Sequence, residues 1–133
     1  MTRTMGRLAL FGLMAGGSVL LGHHSLAGVY QMDKATELSG TVADVKFTNP
    51  HGSLGVNVMG SDGTMKKWVM TLGSASALAQ RGIGKTGQNA LHVGDNIKIK
   101  FLPAKDGSPL GFLKTVTMPD GRVIEVSGNG PNE

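Results

Sequence analysis

The stretch of sequence that decides the fold is TELSGTVADVKF, residues 36–47. It is rich in strand-forming residues, and Gly40 in its interior is typical of a bulge or a sharp bend. Leu38 and Val42 share one parity, whereas Val45 has the other, so the apolar side of the strand changes near the glycine. The pattern predicts a long first strand that curves.

Alternating apolar residues and turn signals predict the other elements. Ser74 is a suitable N-cap and Gly82 a suitable C-terminal stop for a short helix between them. Further strands are predicted at residues 54–58, 65–72, 96–102, 110–118 and 122–126. This order predicts a mainly β fold, a small five- to six-stranded barrel resembling an oligonucleotide/oligosaccharide-binding fold, with one short helix between strands 3 and 4. A small open sandwich is the alternative.

Two groups of residues are expected in the core of this barrel. The first contains residues at alternating strand positions, namely Val42, Val56, Val58, Trp68, Ile97, Ile99 and Phe101. The second contains three methionines in or beside strands, which we expect to pack in the core rather than to bind metal, namely Met59, Met65 and Met70.

The N-terminal residues have the pattern of a secretory signal peptide. Arg3 and Arg7 precede an uncharged apolar run at residues 8–21, which is shorter than the roughly 20 residues that span a bilayer. Ser25-Leu26-Ala27 fits the small-residue cleavage pattern best, whereas cleavage after Gly22 is a poorer fit because Leu20 stands at the −3 position, and both remain open. We therefore expect a periplasmic protein without a membrane span after processing. The predicted organisation is a signal peptide at 1–22, a single β-barrel domain at 23–126 and a flexible tail at 127–133.

Composition excludes several kinds of site. The chain has no cysteine, which rules out disulfides, thiolate metal ligands and a cysteine nucleophile. The formal net charge is +4, and removing Arg3 and Arg7 halves it, so the charge is too low to predict a nucleic-acid-binding surface. No nucleophile, base and orienting group occur in a recognisable pattern, so we expect a protein that is not an enzyme.

Histidines are the best candidate ligands in the chain. If cleavage follows Gly22, His23 becomes the N-terminal residue, whose amine and ring chelate one metal together. His51, in the turn Asn-Pro-His, is the natural second ligand, and His24 is a further candidate. The alternative is that His23 and His24 are terminal residues without a ligand and that His51 is a turn residue. His92 lies beside another turn and is not included in the site.

The chain resembles a family of small exported bacterial proteins catalogued as a domain of unknown function. The residues that carry the resemblance are His23-His24-Ser25, Leu38-Ser39-Gly40-Thr41-Val42, Asn49-Pro50-His51, Trp68, Gly94-Asp95 and Asp106-Gly107. The resemblance implies that the mature protein begins at or just before His23. It implies no activity.

These observations lead to two hypotheses of different kinds. The first is a periplasmic binding protein that holds copper through His23, His51 and His24. The second is a non-catalytic β-barrel module that binds a protein or glycan partner and no metal.

Overall fold

The computed structural model describes residues 25–127, in which every strand belongs to one sheet. The strands are β1 (Thr36–Lys46), β2 (Ser53–Met59), β3 (Met65–Thr71), β4 (Asn96–Pro103), β5 (Leu110–Thr117) and β6 (Val123–Glu125). The helices are α1 (Leu26–Val29), which the sequence did not predict, and α2 (Ala75–Gln80), which lies between β3 and β4 as predicted. No helix within the described residues is long and apolar enough to cross a membrane.

A parallel pairing closes the sheet into a five-stranded barrel. The strand order is β3-β2-β1-β4-β5-β6, and β3 also pairs with β5 through Val69–Leu110 and Thr71–Phe112. β6 extends the sheet beyond the barrel as an extra strand on β5. The fold class predicted from the sequence, a small barrel of the oligonucleotide/oligosaccharide-binding type, is confirmed.

β1 bends because it pairs with two different strands along its length. Its first half pairs with β4 from Thr36 to Thr41, and its second half pairs with β2 from Thr41 to Lys46. The register shifts between Val42 and Asp44, which is the predicted change of apolar side. At Gly40 a Cβ atom would lie 2.7 Å from a methyl group of Val56, so the bend needs glycine there.

The barrel interior contains most of the predicted core. Six of the seven alternating residues are buried, namely Val42, Val56, Val58, Ile97, Ile99 and Phe101. The seventh, Trp68, is only partly buried: its ring packs with its centroid 5.3 Å from that of Phe101, and it also lines a groove at the surface. The expectation that Trp68 is buried like the other six was therefore wrong.

The methionine prediction holds for one residue of three. Met70 is fully buried in the core. Met59 and Met65 are 59% and 58% exposed, so the expectation that they pack in the core was wrong. Their positions have the opposite parity to the buried hydrophobic residues of the same strands, and they therefore point away from the interior.

The C-terminal end of the described chain is attached to the barrel. Ser127, which the sequence assigned to the flexible tail, is buried, and its hydroxyl donates to the Leu113 carbonyl oxygen at 2.8 Å. The rest of the predicted tail, residues 128–133, lies outside the described residues.

Candidate functional site

The turn that carries His51 connects β1 to β2. The peptide bond between Asn49 and Pro50 is cis. The Thr48 hydroxyl donates to the His51 carbonyl oxygen at 2.8 Å, which closes the turn on itself. The carbonyl group of His51 is therefore held by Thr48 within the turn, whereas the His51 imidazole takes no part in this hydrogen bond.

The same turn is fastened to the end of β3 and to the start of α2. The Gly52 N–H donates to the Gly73 carbonyl oxygen, and the Gly52 carbonyl oxygen accepts from the Leu72 N–H, both at 3.0 Å. The Asn49 side-chain oxygen accepts from the N–H of Ala75, the first residue of α2, at 3.0 Å. Asn49 thereby satisfies a backbone donor that a helix start leaves without an intrahelical partner. The hydrogen bond to α2 explains why asparagine is present at position 49, but it does not explain why histidine is present at position 51.

The His51 residue is exposed on this fixed backbone. Across residues 25–127 no group of three or more His, Cys, Asp or Glu side chains is placed to hold a metal ion. The other two predicted ligands, His23 and His24, lie outside the described residues.

The first described residues are attached to the barrel through Tyr30. Its hydroxyl lies 2.8 Å from the Thr71 hydroxyl, at the end of β3. Its backbone forms a bridge with Ala104, and the Tyr30 ring lies 5.8 Å from the Phe112 ring. Tyr30 is only 8% exposed, so this attachment excludes water from most of the side chain.

A second, smaller apolar cluster forms beneath α1. Tyr30, Leu102 and Phe112 are buried together, and Leu26 packs against them. The Lys105 ammonium donates to the Ala27 carbonyl oxygen at 2.5 Å, and the Lys105 N–H donates to the Val29 carbonyl oxygen at 2.9 Å. The chain from Leu26 onward is thus part of the folded domain.

His92 lies in the turn before β4. It is exposed, and its Nδ1 atom is 3.7 Å from the Asp95 carboxylate, which also accepts from the His92 N–H at 2.9 Å. These contacts are those of a turn that leads into a strand.

The outer surface of β1, β2 and β3 contains an ion pair. Barrels of this type commonly bind their ligands on the outer face of strands 2 and 3. Here the Lys67 ammonium pairs with the Asp44 carboxylate. The two side chains meet over Gly55, where a Cβ atom would lie 2.6 Å from the carboxylate oxygen and 2.7 Å from the lysine chain. This face therefore carries paired charges rather than an unbalanced basic surface.

Two adjacent grooves lie at the far end of β2, on either side of Met59. One, of about 430 Å³, is lined by Trp68, Leu38 and Lys66 among others. The other, of about 410 Å³, is lined by Met59 together with Met65 and polar groups. Sequence reasoning missed this region, although strict alternation from Val58 would have placed Met59 on the outside.

Three aspartates that precede glycine lie in polar turns. Each carboxylate accepts from the side chain and the N–H of the residue two positions later. The pairs are Asp62 with Thr64, Asp106 with Ser108 and Asp120 with Arg122. These hydrogen bonds, with the side-chain bond as the larger cause, lower the pKa of each carboxyl below its ordinary value of 3.8.

Comparison with known proteins gives one match. The model of a family of unknown function matches residues 12–114, more than half of the chain and all three histidines of the predicted site. This confirms the resemblance found in the His-His-Ser and Asn-Pro-His motifs. No curated protein and no solved structure matches the chain.

Proposed function

The chain belongs to the family of unknown function DUF6152, and from the geometry around its His51 turn we propose that it is an exported, periplasmic copper-binding protein. The proposed ligands are the N-terminal amine and ring of His23, the ring of His51 and, as a further donor, His24. The observation that carries the proposal is that the His51 turn and the first described residues are both fastened to the end of β3.

The shared attachment to the end of β3 supports the proposal. Tyr30 bonds Thr71, the last residue of β3, and Gly52 bonds Leu72, the next residue along. Ser25 lies two positions after His23 in the sequence, a separation of at most about 7 Å in a fully extended chain. Fastening the N-terminal segment close to a second ligand raises the effective concentration of the amine at His51.

The contacts of α1 also favour signal cleavage after Gly22. Cleavage after Ala27 would remove Leu26 from the second apolar cluster and would cut through α1. It would also remove the Ala27 carbonyl group that accepts from Lys105. Cleavage after Gly22 preserves these contacts and leaves His23 as the first residue.

The available donors favour Cu(II) over structural zinc. The chain has no thiolate, so a divalent ion would bind through nitrogen donors, for which Cu(II) has the higher affinity. The amine and both rings must be unprotonated to bind. Binding should therefore weaken as the pH falls through the histidine range.

The test is calorimetric titration of correctly processed protein with Cu(II). His51→Ala should weaken binding by at least about tenfold, as expected for the loss of a direct ligand. His92→Ala is the matched control, because His92 is equally exposed in a turn, and it should bind like the wild type. Adding one residue before His23 should weaken binding as much as His51→Ala. Equal affinity in the wild type and His51→Ala would reject the proposal.

Export is tested separately by cell fractionation and intact mass. The expected species is periplasmic and begins at His23. A full-length protein confined to the cytoplasm would reject export, and a chain that begins at Gly28 would reject the copper site.

The groove beside Trp68 favours a second candidate function, a module that binds a glycan or protein partner without metal. A partly exposed indole beside Lys66 and Asp62 offers a stacking surface with polar groups at its edge. Titration with glycan fragments of the bacterial cell wall should shift Trp68 emission if this candidate is correct. Lys66→Ala should reduce the shift, and an unchanged spectrum would reject a glycan ligand.

A further inference from the structure

Met59 and Met65 lie directly opposite each other in the β2–β3 hairpin. Both side chains are exposed, at 59% and 58%, although methionine is normally found in protein interiors. Met70 in the same hairpin is fully buried, so within β2 and β3 only Met59 and Met65 expose a methionine side chain. The packing of the barrel does not require either sulfur.

Directly paired residues of antiparallel strands have Cβ atoms about 4.5–5.5 Å apart on the same face of the sheet. Methionine has three rotatable bonds, so both thioether sulfurs can approach one ion without any movement of the backbone. The turn between the two residues contains the Asp62 carboxylate, which accepts from the Thr64 N–H and hydroxyl. These hydrogen bonds close the turn between the two strands and so help to fix the separation of Met59 and Met65.

Thioethers are soft, uncharged donors, and soft donors select Cu(I) among the metals of the cell. An adjacent groove provides room for an ion beside the pair, and its polar lining includes Asn57 and Asn96. Neither residue is a carboxylate, which would favour a hard cation instead.

We propose that Met59 and Met65 form a thioether site for a soft monovalent cation, Cu(I), on the β2–β3 hairpin. The site is separate from His51 and does not depend on the proposed copper site there. It requires only that the hairpin be folded and exposed to solvent.

The experiment uses Ag(I) as a redox-stable probe with the same preference for soft donors. Processed protein is titrated with Ag(I) in competition with a chelator, and the bound metal is counted by native mass spectrometry. Trp68, the single tryptophan, lines a groove together with Met59, so its emission gives a second readout. The wild type should bind one Ag(I), with a change in Trp68 emission.

The variants Met59→Leu and Met65→Leu remove the sulfur and keep the volume of the side chain. Each should weaken Ag(I) binding by at least about tenfold, the lower limit for disturbing a metal site, and the double variant should lose it. Met32→Leu is the control, since Met32 is also exposed but lies outside the hairpin. Thermal unfolding of each variant verifies that the barrel is intact.

The results separate this site from the histidine site. His51→Ala should leave Ag(I) binding unchanged, and the double methionine variant should leave Cu(II) binding unchanged. Wild-type Ag(I) affinity in the folded double variant would overturn the proposal. Equal weakening by Met32→Leu would also overturn it, because the effect would then be that of any exposed methionine.

Discussion

Replacing Tyr30 with phenylalanine tests how firmly the N-terminal segment is attached to the barrel. The substitution keeps the ring, which packs 5.8 Å from Phe112, and removes only the hydroxyl bonded to Thr71 at 2.8 Å. A hydrogen bond of this kind contributes a net of about 0.5–1.5 kcal/mol to the free energy of unfolding. In a domain of about 100 residues, a loss of about 1 kcal/mol lowers the Tm by roughly 4–8 °C.

A double-mutant cycle isolates this bond from other effects of the substitution. Thr71→Val removes the partner hydroxyl, and once one hydroxyl is absent, removal of the other should have less effect. The free energies of unfolding are measured in urea, with Trp68 emission as the signal. We expect a coupling energy of about 0.5–1.5 kcal/mol. A coupling energy within the roughly 0.3–0.5 kcal/mol error of additivity would show that the bond does not hold the segment.

The same variant also tests the argument for the copper site. Tyr30→Phe leaves His51 and its turn untouched, so any loss of Cu(II) affinity reports on the position of the N-terminus. We expect weaker Cu(II) binding together with lower stability, because a looser segment lowers the effective concentration of the amine. Lower stability with unchanged affinity would reject the argument from shared attachment.

Three further predictions concern stability. Gly111→Ala should lower the free energy of unfolding by at least about 1–3 kcal/mol, because a Cβ atom there would overlap the Phe101 ring. Gly73→Ala, with open space around it, should change the free energy of unfolding in urea by less than about 0.5 kcal/mol. Equal effects of the two substitutions would contradict the packing. Trp68→Ala should lower stability by about 2–3 kcal/mol in thermal unfolding, less than the roughly 3–5 kcal/mol for a fully enclosed ring. Because folding lowers the pKa of Asp106 below its ordinary value of 3.8, the ionised carboxylate stabilises the fold above pH 3.8, and this stabilisation is lost as the pH falls below that value. Asp106→Asn should therefore reduce the difference between the unfolding midpoints measured at about pH 5 and at about pH 3. An unchanged difference would show that the turn contributes nothing.

The strands could be predicted because each has a local pattern. Leu54, Val56 and Val58 alternate cleanly, and they are all buried on one side of β2. The closure of the barrel has no such pattern. The parallel pairing of Val69 with Leu110, which closes the barrel, joins residues far apart in the chain. A closed barrel was predicted only by analogy between the order of the elements and a known barrel type.

The N-terminal attachment could not be predicted for a related reason. α1 has only four residues, too few for a periodic signal, and it overlaps one of the two candidate cleavage points. Tyr30 is buried, and Leu26 is partly buried, by contacts with Leu102 and Phe112, which lie on the outside of the barrel. In the hairpin, by contrast, the general expectation that methionine is buried outweighed the local alternation, and the alternation was correct for Met59.

The positions of the two proposed sites on β2 bear on how they could act. His51 lies two residues before β2 begins and Met59 is its last residue, so about eight residues separate them. At about 3.3 Å per residue, the extended strand alone places Met59 about 20 Å from Ser53, so the two sites lie far apart. A single ion cannot use both sets of ligands, and each set favours a different oxidation state of copper. If both sites bind, the barrel must therefore hold Cu(II) and Cu(I) independently, and filling one site with its own ion should not displace the ion from the other.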